Sequence, residues 1–315
     1  MKAERFVFPA LLLLALLTFL PAYGSGFVFD FVGWQSLYNK GSFADILNCF
    51  GYKGNQQVYH LFFYTIYRFF HLSPFPWYFI FCALHAFNGW LLFYWVRQVK
   101  GHWRFDINPV MMFIMAAFFV VHPFTVEVVV FKACVHYLIS LVAILGVLIL
   151  APRYFLEGNQ RSFWVCLLIF FFSLFALEIA YVTPIVIGAY SLIYSRINDK
   201  KAELKKRLLL FNACLWGLLI VHLVVNRLTF GAWIGHYGAA THLRFDFVGM
   251  VSTELKYLAK HLADVRMYGP KMKGYLFDEL LSNKLIVILT FLVGLVAFVF
   301  YWIKIKKLNA KWHLV

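Results

Sequence analysis

The sequence predicts an all-α fold, a polytopic membrane bundle of about eight spanning helices. Three observations carry this. Of its 315 residues 63% are hydrophobic and 14% charged, where ordinary globular domains carry about a quarter charged residues. The mean hydropathy is +0.76. The apolar residues gather in blocks near 6–23, 76–96, 109–122, 137–155, 163–178, 181–195, 208–226 and 285–303, each approaching the ~20 residues that a helix needs to cross ~30 Å of hydrocarbon. The gaps between blocks are too short for a soluble domain, so residues 1–315 read as one integral membrane domain.

The first block follows Lys2 and Arg5 and ends in Pro21-Ala22-Tyr23-Gly24-Ser25. That order resembles a signal peptide, but with seven further blocks it is expected to stay as an uncleaved first helix. Arg97, Lys100 and Arg104 separate blocks two and three, and Arg153 and Arg161 separate four and five. Arg196, Lys200, Lys201, Lys205, Lys206 and Arg207 separate six and seven, and Lys304, Lys306, Lys307 and Lys311 follow block eight. Alternating sides put all of these with Lys2 and Arg5, and the positive-inside rule makes that side cytoplasmic, with both termini inside. Most carboxylates fall on the other side, at Asp30, Asp45, Glu127, Glu178, Asp246, Glu254, Asp264, Asp278 and Glu279.

The outer stretches are 24–75 and 227–284. In the first, Val58, Leu61, Phe62, Ile66 and Phe69 recur at helical spacing; in the second, Val251, Leu255, Leu258, Leu262 and Val265 do so, with Lys256, Lys260 and Asp264 between them. Each reads either as a helix lying in the membrane interface or as one packed on the bundle. The net charge of +15 belongs to helix ends that meet anionic headgroups, and the sequence has no basic-aromatic domain of the kind that binds nucleic acid. The five cysteines show no zinc-ligand spacing. Cys82, Cys166 and Cys214 read as packing, while Cys49 and Cys134 share the outer side and leave a disulfide open.

Three carboxylates stand where odd-numbered blocks emerge outside: Asp30, Glu127 and Glu178. An ionised carboxylate among apolar residues is expensive unless paired or solvated in a cavity. Each is therefore a functional acid, half of an ion pair with an outer base such as Lys132 or Arg227, or simply exposed to water. His122 and His136 suit hydrogen bonding to phosphate or sugar, or a cap and a core contact. Trp34, Trp77 and Trp233 suit sugar stacking or an aromatic belt.

The segment from Gly26 to Pro184 resembles the membrane glycosyltransferases of the GT-C superfamily, and among them the protein O-mannosyltransferases and their tetratricopeptide-repeat relatives. The run Phe27-Val28-Phe29-Asp30 resembles their first outer loop, with Phe31 where they carry a second acid. Leu84-His85-Ala86-Phe87-Asn88, with Leu91 and Leu92, is similar to their second span. His122, Pro123 and Glu127 match their His-Pro-Glu element in order and spacing. Glu178 and Pro184 match the end of their fifth span, with Leu177 in place of Lys. Val135 and Tyr137 stand where the family has Arg and Asp, and no repeat domain follows the last block.

The resemblance implies an inverting transfer on the outer (periplasmic or luminal) face, from a sugar on a polyprenyl phosphate in the bilayer to the hydroxyl of a protein or glycan acceptor. Asp30 and Glu127 are the implied catalytic residues, with Asp30 as general base. The leaving phosphate needs positive charge, for which Lys132, Arg227 and Arg244 are candidates by location alone; His122 and His136 are candidates for hydrogen bonds to phosphate or sugar, and Glu178 is a further candidate. No metal is expected, because Asp30 without a neighbouring acid is a poor site for a hard cation, and no cofactor beyond the lipid-linked donor. The alternatives are a catalytically degenerate relative serving as a scaffold for a membrane-protein partner, and a carrier or flippase for a lipid-linked sugar. Short loops and the missing repeat domain point to a bacterial inner membrane rather than the endoplasmic reticulum.

Overall fold

A computed structural model describes residues 3–24, 30–47, 56–103, 107–197, 202–234 and 246–262, with 285, 288–289 and 292–296 further on. The described residues are helical, with no strand among them. In chain order the helices are α1 (Val7–Thr18), α2 (Asp30–Lys40), α3 (Phe43–Leu47), α4 (Gln57–Phe70), α5 (Pro74–Trp103), α6 (Pro109–Val121), α7 (Val126–Val130), α8 (Val135–Glu157), α9 (Gln160–Ser173), α10 (Thr183–Ile197), α11 (Ala202–Phe230) and α12 (Phe247–Leu262). Short 3-10 turns at Pro123–Thr125, Lys132–Cys134 and Glu178–Val182 join some of them. Three helices are long and apolar enough to cross a membrane: Pro74–Gly101, Lys132–Glu157 and Ala202–Phe230. Pro109–Val121, Gln160–Ser173 and Glu178–Leu192 are shorter apolar helices. The expected block 285–303 lies mostly outside the described residues.

The chain divides into two units, Met1–Thr241 and His242–Val315. In the first unit α5 packs on α1, α6 and α8, and α8 packs on α9 and α11. One buried cluster joins α1, α4, α5, α6 and the start of α8 through residues such as Leu11, Phe63, Trp77, Phe81, Ala116 and Leu138. A second joins α8, α9, α10 and α11 through Phe155, Phe163, Phe170, Ile187, Phe211 and Leu215. Small residues permit the closest approach. A Cβ on Gly89 would lie 2.7 Å from Val120 Cγ2 and 3.5 Å from both the Ala116 carbonyl and Leu11 Cδ1, so the glycine lets α5 approach the α6 backbone and receive the Leu11 side chain of α1.

The outward faces are apolar too. Val110, Met111, Ile114, Met115 and Phe118 on α6, and Leu209, Ile220, Val221 and Leu228 on α11, are exposed. Contiguous apolar surface of this extent would be a liability in water, and it suits helices whose solvent is lipid.

Helix ends follow local chemistry. Asn108 caps α6 by accepting from Val110 N at 2.9 Å, with Pro109 at the first helical position. The helix ends at His122, held extended (φ −62°, ψ 130°) because Pro123 follows. Ser42 and Asp45 form a reciprocal box before and within α3: the Ser42 N–H donates to Asp45 Oδ2 at 2.6 Å and the Asp45 N–H to Ser42 Oγ at 3.3 Å. These bonds hold the Asp45 carboxyl below the usual range, the backbone donor contributing most. Gly158 ends α8 in the left-handed region (φ 72°), the usual role of glycine there.

The polar residues of α5 tie helices together. His85 Nε2 lies 3.0 Å from the Val120 carbonyl, one of the last carbonyls of α6, which lack partners within their own helix. The Asn88 amide donates to the Leu138 carbonyl of α8 at 3.0 Å. At the opposite end, Arg97 pairs with Glu4 at 2.6 Å, Gln98 donates to the Ile149 carbonyl at 3.0 Å, and Lys100 to the Ile107 carbonyl at 2.5 Å.

The structure decides which face of α4 is buried. Tyr59, His60, Phe63, Ile66 and Tyr67 are buried, and Phe69 is 75% exposed. Of the apolar stripe read from sequence only Ile66 is fully buried, because tyrosines with hydroxyl partners turn inward: Tyr59 donates to the Ala133 carbonyl at 3.0 Å and Tyr67 to Asn39 Oδ1 at 2.6 Å. In the second unit, Asp246 caps α12 by accepting from Gly249 N at 3.0 Å, and Phe247 and Met250 are exposed.

Candidate functional site

The polar residues at one end of the first unit gather around Lys132. It opens the turn between α7 and α8, and its side chain is buried, 6% exposed. The ammonium lies over the Phe81 ring, 5.2 Å from its centroid, a favourable cation–π arrangement. No carboxylate among the described residues pairs with it; the ion pairs there are Arg97–Glu4 and Arg207–Glu203. A cation withdrawn from water without a counter-charge is costly, so Lys132 marks a place suited to an anion.

Around that turn stands an aromatic wall. Tyr59 holds the Ala133 carbonyl and meets the His136 ring edge to face at 5.2 Å. Phe63 packs between Tyr59, at 4.9 Å, and Trp77, at 5.5 Å. Helix α2 packs on both α4 and the Lys132–Cys134 turn. Trp34 on α2 meets Tyr59 at 5.1 Å and His60 at 5.4 Å, both edge to face. One turn later the Tyr38 hydroxyl shares a 3.0 Å hydrogen bond with His60 Nδ1. His60 is fully buried, and its Nε2 has no hydrogen-bond partner among the described residues. Burial pushes its imidazole down to about 4, because desolvation disfavours the charged form.

The residues expected from sequence fare differently. Asp30 is the first residue of α2, and thus on the helix that touches the Lys132 turn; its side chain is outside the described part. Arg244 and Cys49 also lie outside it, while Cys134 is half-buried at the end of the Lys132 turn. His136 stands one turn into the bundle from Lys132, between Tyr59 and Tyr137. Glu127 is exposed in the first turn of α7, without an ion pair among the described residues. His122 caps α6: its carbonyl accepts from Thr125 N at 2.9 Å and Thr125 Oγ1 at 2.7 Å, while its ring meets Phe118 at 5.0 Å. Glu178 is half-buried at the start of its turn. Arg227 turns to its own helix end, donating to the Gly231 carbonyl and lying 5.9 Å from the Trp233 ring centroid. Trp77 is wholly buried and donates to the His71 carbonyl at 2.7 Å, so it packs and offers no face to a sugar.

Sequence reading missed two groups. One is the Tyr38–His60 pair. The other lies between the Glu178 turn and α11, where the Tyr181 hydroxyl shares a 3.0 Å bond with His222 Nε2 and accepts from Asn226 Nδ2 at 3.3 Å. The signal was present: His222 and Asn226 are spaced i, i+4 in an apolar helix.

Among the described residues no group of three His, Cys, Asp or Glu side chains is placed to hold a metal ion. Comparison with protein-family models, curated proteins and solved structures returns no match.

Proposed function

We propose that this chain is a membrane glycosyltransferase that moves a sugar from a polyprenyl-phosphate donor to an acceptor hydroxyl at the face where α2 meets the Lys132 turn. The observation that carries the reading is this packing of α2, which begins with Asp30, against a turn holding a buried cation with no carboxylate partner among the described residues. The reaction needs one base and one cation. Asp30 takes the proton of the acceptor hydroxyl as its oxygen attacks the anomeric carbon. The bond to the donor phosphate breaks, and the leaving phosphate gains its charge beside Lys132. Preorganised positive charge in a dry site is an efficient stabiliser of such a leaving group. His136 is a second donor for phosphate or sugar oxygens, and Glu127 orients the base or the donor. The bundle has eight spans with both termini cytoplasmic, in a bacterial inner membrane.

The test is transfer by the purified protein in lipid nanodiscs, with polyprenyl-phosphate sugars as donors and product followed by mass spectrometry. Asp30→Asn is expected to lower the rate roughly 10²–10⁴-fold, the usual contribution of a positioned base, while donor binding persists. An unchanged rate removes Asp30 from the role.

A second reading is a non-catalytic relative that serves as a partner subunit. It is favoured by a wholly buried Val135 and an exposed Tyr137 at the positions where the resemblance leads one to expect charged groups. No transfer with any donor, together with stable association with another membrane protein, supports that reading instead.

A further inference from the structure

At the end of the bundle opposite Lys132, a two-residue corner, Gly158-Asn159, joins α8 to α9. The corner is tightly fixed. The Gly158 N–H donates to the Tyr154 carbonyl at 2.9 Å, and Asn159 caps α9 by accepting from Ser162 N at 3.1 Å. Arg207 from α11 reaches across it. Its guanidinium donates to the Phe155 carbonyl at 3.4 Å and lies 2.8 Å from where a Cβ on Gly158 would stand. Three helix ends are thereby gathered at one place.

Those ends carry Arg153, Arg161, Lys205 and Lys206, all exposed. Arg207 is engaged by Glu203 at 3.4 Å and by the α8 carbonyl. The other four have no ion pair among the described residues, although the exposed Glu157 stands one turn after Arg153. The flank running away from this cationic rim is apolar and exposed: Leu156 at 40%, Trp164 at 61% and Leu168 at 55%. Trp164 lies within one turn of Arg161, as an indole at a headgroup boundary does.

We propose that this corner is a discrete binding site for an anionic phospholipid, with the phosphate held among Arg153, Arg161, Lys205 and Lys206 and the acyl chains along Leu156, Trp164 and Leu168. Cations alone would attract anionic lipid diffusely. The fixed corner brings three cation-bearing helix segments together beside an exposed apolar flank, and that combination suits one anionic lipid in a defined place.

The test uses the full-length protein in maltoside micelles, titrated with dioleoyl phosphatidylglycerol and read by thermal stability and by native mass spectrometry. The expected result is a saturable rise in Tm with retained lipid. Arg153→Gln/Arg161→Gln weakens it about tenfold or more, as does Lys205→Gln/Lys206→Gln, since each cation near a headgroup contributes roughly 1 kcal/mol. Arg68→Gln, an exposed cation on α4, leaves it unchanged. Three results would overturn the proposal: an equal effect from phosphatidylcholine, the same effect from inorganic phosphate alone, or undiminished binding by both double variants.

Discussion

Acidification from pH 7 to pH 5 protonates His60 in the unfolded chain long before it does so in the fold. His60 is fully buried against the Trp34, Tyr38 and Tyr59 rings and bonded through Nδ1 to the Tyr38 hydroxyl. Burial pushes its imidazole from 6.5 down to about 4. Because the folded value lies below the unfolded one, the unfolded state binds more protons between these limits. Stability contributed by the neutral ring is therefore complete above about 6.5 and is lost as pH falls toward about 4. The whole shift corresponds to about 3 kcal/mol, of which about 2 kcal/mol is lost by pH 5. His60→Gln keeps a hydrogen-bonding group toward Tyr38 and cannot titrate. The assay is unfolding by SDS titration in mixed micelles at pH 7, 6 and 5, for the native chain and for His60→Gln. The native chain is expected to lose about 2 kcal/mol more than the variant between the extremes. Parallel pH profiles would refute the argument, since they would mean that the ring is charged in the fold or that its site is open to water.

Two further expectations concern packing. Gly89→Ala should gain ~1 kcal/mol in helix propensity, but its Cβ would stand 2.7 Å from Val120 Cγ2. Overpacking of about 1–3 kcal/mol then decides the sign, so a lower Tm is expected, and Val120→Ala in the same chain should restore it. Gly158→Ala combines a φ of +72° with a clash 2.8 Å from the Arg207 guanidinium, and a loss of roughly 1–3 kcal/mol is expected in the same unfolding assay. If Gly158→Ala is as stable as the native chain, the α8–α9 corner does not hold residue 158 in the left-handed region.

The helical course of the chain was legible where a side chain needs no partner to declare itself. The blocks at 76–96, 137–155 and 208–226 reappear inside α5, α8 and α11. The end of α6 at His122-Pro123 follows from proline chemistry alone. The spacing at 58–69 reads as a helix, but which of its faces packs on the bundle does not follow from it, because an apolar count ranks Phe69 above Tyr59 and Tyr67. Tyrosine turns inward when its hydroxyl finds an acceptor, and the acceptors are the Ala133 carbonyl and Asn39, distant in sequence.

The candidate residues divide in the same way. Lys132, His136 and Asp30 could be named from their place at helix ends. That Lys132 is buried over Phe81 while Arg227 folds back on its own helix end could not, since both are basic residues close to apolar runs. His85 and Asn88 stand out in the sequence as polar residues in an apolar block, and the structure gives them carbonyls on two other helices.

By itself the sequence determined the helical class, the long apolar helices and the ends at which charge collects. Hydropathy, proline and glycine act residue by residue along the chain, so their effects can be read there. Only the tertiary structure decided which helix packs on which, that α2 lies against the Lys132 turn, and that His60 is buried against Trp34. Those outcomes depend on burial and hydrogen bonding between residues far apart in sequence, and the energy of each exists only once the partners have met.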